Sequence, residues 1–339
     1  MVICVYGAGS IGCYVGGRLA AAGSDVVFVG RERLAKQITG HGLTITDWRG
    51  AELHVRHPRY ETTPDAVAEA DLVLVTVKSA ATGDAADALV ARLKPDAVVV
   101  SFQNGLHNAE VLLERLGGRT VLTGMVAFNV VNRGDGAFHC ATEGDLEVQR
   151  HPALAGYATE FERAGVPLVQ RDDMAAVQAA KLLLNLNNAV NALSGLPLKE
   201  ELSQRAYRRC LALAQREALE VFEAAGTTPA RLTPLPPSWL PTLLGVPDFV
   251  FTRLAGQMLA IDPLARSSMW EDLEAGRTTE VDYLNGEVVA LARKHGTRVP
   301  VNERLVALVK RAEAGGRRDW SGEELFADLD RAKSTATRR

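Results

Sequence analysis

Three polar side chains recur at helical spacing inside an otherwise apolar segment of the chain. Lys181, Asn185 and Asn188 stand at positions i, i+4 and i+7 of a stretch rich in Ala and Leu, so a helix would carry all three on one face. Partial burial lowers the pKa of a lysine toward the range in which its ammonium can donate a proton near neutral pH. The pattern therefore predicts either a proton donor flanked by amides or a structural network of asparagines in which Lys181 extends to solvent.

A second group of polar residues follows further along the chain. Ser268 lies in the sequence Arg-Ser-Ser-Met-Trp-Glu-Asp, and Glu280 lies in Thr-Thr-Glu-Val-Asp-Tyr-Leu-Asn-Gly. Serine or threonine shortly before an acid is also the ordinary pattern of a helix N-cap, which explains these residues equally well. If Glu280 lies beside Lys181, its carboxylate would keep the ammonium charged and oriented.

The beginning of the chain contains a glycine-rich loop. The sequence from Gly7 to Gly12 has the pattern G-x-G-x-x-G and stands between an apolar run over 2–6 and a helical pattern over 11–22. In this context the glycines allow a tight turn, a close approach of a pyrophosphate and close helix packing. Free N–H groups at the start of the helix would bind the phosphates. The predicted dinucleotide-binding residues are Gly7, Gly9, Ser10, Ile11 and Gly12.

The end of the second predicted strand distinguishes NAD from NADP. An NAD enzyme usually carries an acid there, about 20 residues after the loop, which binds the ribose hydroxyls. Here Gly30 is followed by Arg31, Glu32 and Arg33. A cation at position 31 suits a 2′-phosphate, which a carboxylate would repel. A solvated helix start also explains the arginines, and Glu32 could turn inward, but the charge favours NADP (NADPH).

Two further candidates follow later strands. Lys78 comes directly after an apolar run over 72–77, and Asn104 comes shortly after a run over 97–102. Ligands of open parallel sheets lie beyond the carboxyl ends of the strands. Lys78 is therefore a candidate for phosphate binding, and Asn104 for binding cofactor or substrate. Because Asn-Gly after a strand is also an ordinary turn, Asn104 remains ambiguous on these grounds.

Two kinds of scaffold must position these residues. The first half alternates short strand patterns with helical patterns, which predicts an α/β Rossmann domain with a parallel sheet; segments 136–141 and 144–149 are predicted as a small appended hairpin. The later pattern is helical and is divided by a proline-rich stretch near 233–247. The helical segments are predicted over 173–226, 247–262, 267–296 and 300–315.

The predicted division follows from this change of pattern. We expect an NADP-binding Rossmann domain over 1–172, an all-α domain carrying substrate and catalytic residues over 173–316, and a C-terminal helix with a frayed tail over 317–339.

Composition excludes several classes of protein. The 38 basic and 41 acidic residues of this 339-residue chain give a net charge of −3, so no overall positive field is available for nucleic acid. We expect no membrane association, because no apolar run reaches the length that spans a bilayer, and no secretory signal, because the N-terminus lacks a basic region. The four cysteines are scattered, which predicts reduced thiols in a cytoplasmic protein and no structural metal.

In order and spacing, these features resemble the ketopantoate reductase (2-dehydropantoate 2-reductase) family over residues 1–315. The resemblance implies NADPH-dependent reduction of a 2-oxo acid in a cleft between a Rossmann domain and a helical domain. The matching features are the glycine loop, Val-Thr-Val-Lys78, Gln-Asn104-Gly, Lys181 with Asn185, Ser268-Met and Glu280-Val-Asp-Tyr-Leu-Asn-Gly.

The resemblance also implies a role for each matching residue. Lys181 would be the general acid, and Glu280 would orient it and contact a substrate hydroxyl and the cofactor. Ser268 would hold the substrate carboxylate. Asn104 and Asn185 would position cofactor and substrate. Arg31 and Lys78 would bind cofactor phosphates.

Three positions depart from the family pattern. Ala189, Lys199 and Ala265 stand where asparagines are often found, and Asn188, beside Ala189, is the alternative substrate-binding amide. The proton donor is unaffected, so reduction is predicted more firmly than its substrate. Ketopantoate reduction to pantoate, in pantothenate biosynthesis, is the first hypothesis. One alternative is the reduction of another branched 2-oxo acid or ketone, and another is a non-catalytic NADPH sensor. A homodimer is the expected assembly.

Overall fold

A computed structural model describes residues 1–254 and 265–337. The chain divides into two compact units, Met1–Met174 and Ala175–Arg339. Within the described residues, all strands belong to the first unit, and the second unit is helical.

The first unit contains two sheets. Its strands are β1 (Val2–Tyr6), β2 (Asp25–Val29), β3 (Leu43–Asp47), β4 (Glu52–Val55), β5 (Arg59–Glu61), β6 (Leu72–Val75), β7 (Val98–Ser101), β8 (Thr120–Val126), β9 (Val130–Gly134), β10 (Ala137–Cys140), β11 (Leu146–Gln149) and β12 (Leu168–Arg171). Eight of them form a large sheet in the order β12-β11-β8-β7-β6-β1-β2-β5, and the order β4-β3-β10-β9 forms a small one. The large sheet is parallel except where β11 pairs antiparallel with β8.

Helices cover both faces of the large sheet, which is why its central strands are continuous apolar runs. The helices of this unit are α1 (Ser10–Ala21), α2 (Glu32–His41), α3 (Thr82–Val90), α4 (Asn108–Leu116) and α5 (Ala158–Arg163). In β1, Ile3 and Val5 pack in one hydrophobic cluster, whereas Cys4 between them packs in another. This alternation follows from the two-residue repeat of a strand. The predicted Rossmann-type fold is confirmed.

The appended hairpin is present, but its partners differ from those predicted. Strands β9 and β10 form the antiparallel pair, whereas segment 144–149 contributes β11 to the large sheet between β8 and β12. Leu146 and Val148 are fully buried, so burial of this apolar pair favours the large sheet. The strands of the 43–61 segment were not predicted, because they are short and their exposed faces are polar.

The second unit confirms the prediction of a helical region. Its helices are α6 (Met174–Asn185), α7 (Asn187–Ser194), α8 (Leu198–Ser203), α9 (Arg205–Ala224), α10 (Leu240–Leu244), α11 (Asp248–Leu254), α12 (Ser268–Glu274), α13 (Asn285–His295), α14 (Pro300–Glu313) and α15 (Gly322–Thr337). Of the helix predicted over 247–262, residues 255–262 lie outside the described residues. The helix predicted over 267–296 is interrupted between α12 and α13, where only a short 3₁₀ turn forms at Val281–Tyr283.

Helix α9 organises the core of this unit. Ala214, Ala218 and Val221 are buried along it. The carboxylate of Glu217, also on α9, accepts the backbone N–H groups of Val301 at 2.9 Å and Asn302 at 3.0 Å, and so caps the start of α14. Across residues 1–254 and 265–337, no helix combines the length and apolar character needed to cross a membrane.

Candidate active site

Two of the three loop glycines are required by the packing of the first unit itself. Gly7 has a φ of +98°, and a Cβ there would collide with the backbone nitrogen of Val77. A Cβ on Gly12 would lie 2.6 Å from Thr76 Oγ1 and 2.7 Å from Val5 Cγ1. Only glycine fits at either position, because both lie against the ends of β1 and β6.

Gly9 is different, because the fold does not require it. A Cβ on Gly9 would meet only the Gly7 carbonyl oxygen, at 3.8 Å. The space beside Gly9 is therefore open on the protein side, as expected where a ligand approaches the backbone closely. This open position fits a pyrophosphate.

The start of α1 offers matching donors. Gly9 is its N-cap residue, and no side chain caps the helix. The N–H groups of Ser10, Ile11 and Gly12 have no hydrogen-bond acceptor among the described residues. Unpaired donors at a helix N-terminus favour an anion, so the predicted loop residues fit a dinucleotide.

The residues that follow β2 present a cation beyond the strand. Arg31 is exposed and has no ion-pair partner within the described part of the chain. The carboxylate of Glu32 forms an ion pair with Lys36 at 2.9 Å on the surface of α2. Glu32 therefore lies at the surface of α2 and is not turned inward, where its carboxylate would repel a phosphate.

Tyr60 is a residue at this end of β2 that the sequence analysis missed. It stacks on Phe28 with 6.3 Å between ring centroids, and its hydroxyl donates to the Ala8 carbonyl oxygen at 3.4 Å. A Cβ at Gly30 would overlap the Tyr60 hydroxyl. Only the pairing of β2 with β5 brings Tyr60 to the glycine loop, and no motif in the sequence indicates it.

Lys78 and Asn104 follow the neighbouring strands β6 and β7, as predicted, and a polar network joins their loops. The hydroxyl of Ser79 donates to the Asn104 carbonyl oxygen at 3.0 Å, and the amide of Asn108 donates to the same oxygen. Gln103 Nε2 donates to Thr82 Oγ1 at 2.8 Å. These buried and partly buried bonds fix the backbone that carries the two candidates, and no motif in the sequence indicates them.

In the second unit, the predicted polar face is divided between two helices. Lys181 and Asn185 lie on α6, and Asn188 lies on α7 after a break at Leu186. The path still continues across the break, because the Leu186 N–H bonds to the Leu182 carbonyl oxygen at 3.0 Å. The single helix predicted for this segment is therefore replaced by two consecutive helices.

Lys181 is partly buried between apolar neighbours. Ala180 and Leu182 are almost fully buried. Within residues 1–254 and 265–337, its ammonium has no hydrogen-bond or ion-pair partner. Burial lowers the pKa of Lys181 to about 8, which places proton donation close to neutral pH.

The expected ion pair between Lys181 and Glu280 is not formed. Glu280 is partly buried and precedes the 3₁₀ turn at Val281–Tyr283. Thr279 donates its N–H and its hydroxyl to Glu313 Oε1 at 2.8 and 2.7 Å. This anchor to α14 fixes the Glu280 backbone independently of α6, so burial alone sets the pKa of Lys181.

The capping explanation is correct for the residue next to Ser268. Ser267 is the N-cap of α12, and its side chain accepts the Trp270 N–H at 3.2 Å. Ser268 is exposed in the first position of the helix. The two neighbouring serines therefore differ in role: Ser267 caps the helix, whereas the side chain of Ser268 remains accessible.

The three positions that depart from the family pattern differ in accessibility. Ala189 is 0% exposed, so no ligand reaches it, whereas Asn188 beside it is only partly buried. Lys199 is exposed on α8. Ala265 is partly buried, and its carbonyl oxygen accepts the Leu198 N–H at 2.8 Å.

Comparison with known proteins identifies one protein family over most of the chain. A family model described as ketopantoate reductase PanE/ApbA matches residues 3–153, and its C-terminal counterpart matches residues 173–313. The 2-dehydropantoate 2-reductase of Halobacterium salinarum is 33% identical over 93% of this chain and 100% of its own length. The crystal structure of a PanE/ApbA family ketopantoate reductase from Ralstonia eutropha JMP134 superposes with a TM-score of 0.80 at 30% identity, covering 93% of this chain and 99% of that one.

A dehydrogenase with a different name has the same fold. A ternary structure of D-mandelate dehydrogenase with NADH and anilino(oxo)acetate has a TM-score of 0.78 at 19% identity and covers 93% of this chain and 99% of that one. At this identity the likeness shows a shared fold.

Proposed function

The chain belongs to the ketopantoate reductase family, and on that premise we propose that it reduces 2-dehydropantoate (ketopantoate) to pantoate with NADPH. The observation that carries the proposal is the Lys181 ammonium, which is partly buried, has no partner in the described chain and has its pKa lowered to about 8. A buried charge without a partner costs stability. Such a group is retained where a reaction needs it.

Lys181 acts as the general acid in this proposal. When bound, the nicotinamide supplies the hydride that reduces the carbonyl carbon. The carbonyl oxygen becomes an alkoxide and takes the proton from Lys181 Nζ, which leaves a neutral amine that solvent reprotonates. A pKa near 8 keeps most of the ammonium protonated at neutral pH while making it a stronger acid than an exposed lysine.

The other predicted residues orient the substrate. Ser268 is exposed at the start of α12 and would bind the substrate carboxylate. The amides of Asn185 and Asn188 would position the 2-oxo acid beside Lys181, and Glu280 would bind a substrate hydroxyl. Orientation of this kind accounts for a large part of catalysis when hydride and proton must reach one carbonyl group.

The first unit provides the cofactor site. Open space at Gly9 and the unpaired N–H groups of Ser10 and Ile11 support binding of the pyrophosphate. Arg31 would bind the 2′-phosphate, and Lys78 a further phosphate. Asn104, which follows β7, would contact the nicotinamide end.

A second candidate is reduction of another branched 2-oxo acid. It is favoured by the altered amides. The accessible amide is at Asn188 and not at position 189, where a buried alanine stands, and Lys199 and Ala265 carry no amide side chain. The alternatives differ in pocket chemistry and share the same proton donor.

Steady-state kinetics with saturating NADPH tests the proposal. We expect the kcat/KM for ketopantoate to exceed that for other branched 2-oxo acids by at least about tenfold. A higher kcat/KM for another 2-oxo acid would support the second candidate. Tight NADPH binding without turnover of any compound would instead indicate a sensor and overturn both.

We further propose that the protein acts as a homodimer in the cytoplasm. Trp239 and Phe249 are 65% and 78% exposed, and large apolar side chains at a surface favour burial by a second copy. All four cysteines are free and buried, which suits a reducing compartment. Analytical ultracentrifugation of the chain and of a Trp239→Ser, Phe249→Ser variant tests the assembly, and a monomeric wild-type chain would contradict it.

A further inference from the structure

A fully buried carboxyl group stands at the centre of a polar network in the helical unit. Glu201 of α8 is 0% exposed. Its Oε2 accepts the side-chain amides of Asn187 at 3.0 Å and Asn191 at 3.3 Å, both on α7. The positions of the two asparagines, i and i+4, place them together on the face of α7 opposite to solvent.

This network lacks a positive charge and contains two acceptors without donors. Within the described residues, Glu201 has no cationic partner. Two groups of α9 that interact with it electrostatically, Tyr207 and Cys210, are kept neutral by burial. Glu201 Oε1 and Asn187 Oδ1 are both buried without a hydrogen-bond partner. One proton on the carboxyl group would turn an acceptor into a donor, and burial raises the pKa of Glu201 to about 8.

The network leads from Glu201 to the start of α12. Asn191 Oδ1 accepts the Ser267 N–H at 2.9 Å, while Ser267 Oγ donates to the Asn188 carbonyl oxygen at 3.3 Å. The residue after Ser267 is Ser268. A chain of bonds thus connects the buried carboxyl group to the two residues assigned to substrate binding on α7 and α12.

We propose that Glu201 is a positioning residue for the reduction: through Asn187 and Asn191 it fixes Asn188 and Ser268 relative to each other. This inference rests on the proposed function for the roles of Asn188 and Ser268. Glu201 itself touches neither substrate nor cofactor. Its effect is therefore expected on substrate binding more than on cofactor binding.

Three substitutions separate this role from general destabilisation. Glu201→Ala removes the acceptor, and Asn191→Leu keeps the branched shape of the side chain but removes the acceptor of the Ser267 N–H. Glu201→Gln keeps a neutral group of the same shape with an acceptor oxygen. We expect the first two to raise the KM for the 2-oxo acid by about tenfold to a hundredfold, with a smaller change in kcat. Glu201→Gln should keep a KM close to that of the wild type.

A cofactor measurement provides the matched control. The Kd for NADPH, followed by nucleotide fluorescence, should stay within about twofold of wild type in all three variants, because Glu201 acts on the substrate side only. Unchanged KM values in Glu201→Ala and Asn191→Leu would overturn the proposal. Equal losses of substrate and NADPH affinity would also overturn it, since they would indicate a purely structural role.

Hydrogen exchange makes the test independent of turnover. Peptides covering 265–275 should exchange faster in Glu201→Ala and Asn191→Leu than in wild type or Glu201→Gln, because the Ser267 N–H loses its ordered acceptor. Unchanged exchange would overturn the inference even if the wild-type enzyme reduces ketopantoate. Faster exchange in a chain that reduces no 2-oxo acid would support the positioning of α12 and refute the proposed function alone.

Discussion

Replacing Lys181 by methionine is expected to change catalysis and stability in opposite directions. Methionine keeps most of the length and the apolar character of the lysine stem but removes its charge. The variant therefore loses the proton donor, and the partly buried segment between Ala180 and Leu182 no longer contains an unpaired ammonium. The same substitution tests the chemical role and the physical cost of that group.

The magnitude of the stability change follows from the pKa of Lys181. Burial lowers this pKa from 10.5 to about 8, and one unit corresponds to about 1.4 kcal/mol. Between these values the unfolded chain holds a proton that the folded chain has released, so folding stability rises with pH over that range and is lowest below it. At neutral pH the charge thus costs about 3 kcal/mol, which is an upper bound for the gain in Lys181→Met.

The catalytic loss is expected to be larger. Removing a positioned general acid typically lowers kcat by about a hundredfold to ten-thousandfold. The assays are NADPH oxidation with saturating ketopantoate and equilibrium unfolding in guanidinium chloride at pH 7. Lys294→Met, on the exposed face of α13, is the matched control and should change neither kcat nor stability appreciably.

Two results would refute this reasoning. A Lys181→Met variant that retains its kcat would remove the general-acid role. A variant that loses both kcat and stability would show that Lys181 is held by interactions in the folded chain, and the lowered pKa would then have the wrong cause. A matched loss of NADPH affinity would likewise assign the lysine to cofactor binding.

Four further substitutions address the cofactor site and the buried network. Arg31→Ala should weaken NADPH binding by at least about tenfold and NADH binding little, because only NADPH carries the 2′-phosphate; Arg33→Ala is the control, and equal losses for both nucleotides would contradict the assignment. Gly9→Ala should raise the Kd for NADPH without lowering the unfolding midpoint, whereas Gly12→Ala should lower that midpoint because its Cβ would meet β1 and Thr76. Glu201→Gln should flatten the pH dependence of stability: the raised pKa of Glu201, about 8 against 4.5, means that wild-type stability falls as pH rises through this interval, and parallel unfolding curves for the two proteins from pH 5 to pH 9 would contradict it.

The pH profile of the wild-type enzyme gives an independent measure of the proton donor. Since Lys181 must be protonated to act and its pKa is about 8, kcat/KM should fall about tenfold per pH unit above that value. The measurement is initial rate from pH 6 to pH 10 with NADPH in excess. A constant rate up to pH 10 would indicate an ordinary lysine pKa or a different donor.

The sequence predicts those features of the fold that depend on local pattern. Continuous apolar runs such as the three valines at the start of Val98–Ser101 indicate buried parallel strands, and the change of periodicity marks the helical region. The β10 strand shows the limit, because a short segment with mixed polarity can pair with several partners. Its choice of β9 and β3 depends on which neighbours bury Phe138, and this information is not local.

The same limit applies to the candidate site. Lys181 and the glycine loop are visible in the sequence because each conflicts with its surroundings, as a charge in an apolar helix or as clustered glycines before one. The residues that hold the site, such as Glu201 and Gln103, look like ordinary surface residues in the sequence. They become significant only when distant segments bring their partners together, as Asn191 does for Glu201.

The structure suggests a physical criterion that separates these two groups of residues. Gly12 and Glu217 are satisfied by the fold itself, one by close packing and one by the N–H groups of α14, so replacing either should cost stability. Gly9 and Lys181 contribute nothing comparable, since a side chain would fit at Gly9 and the charge of Lys181 is unpaired in the described chain. A residue that the folded chain would be more stable without is retained for its function. By this criterion, the open glycine and the unpaired ammonium identify the positions where a phosphate and a carbonyl oxygen are expected to bind.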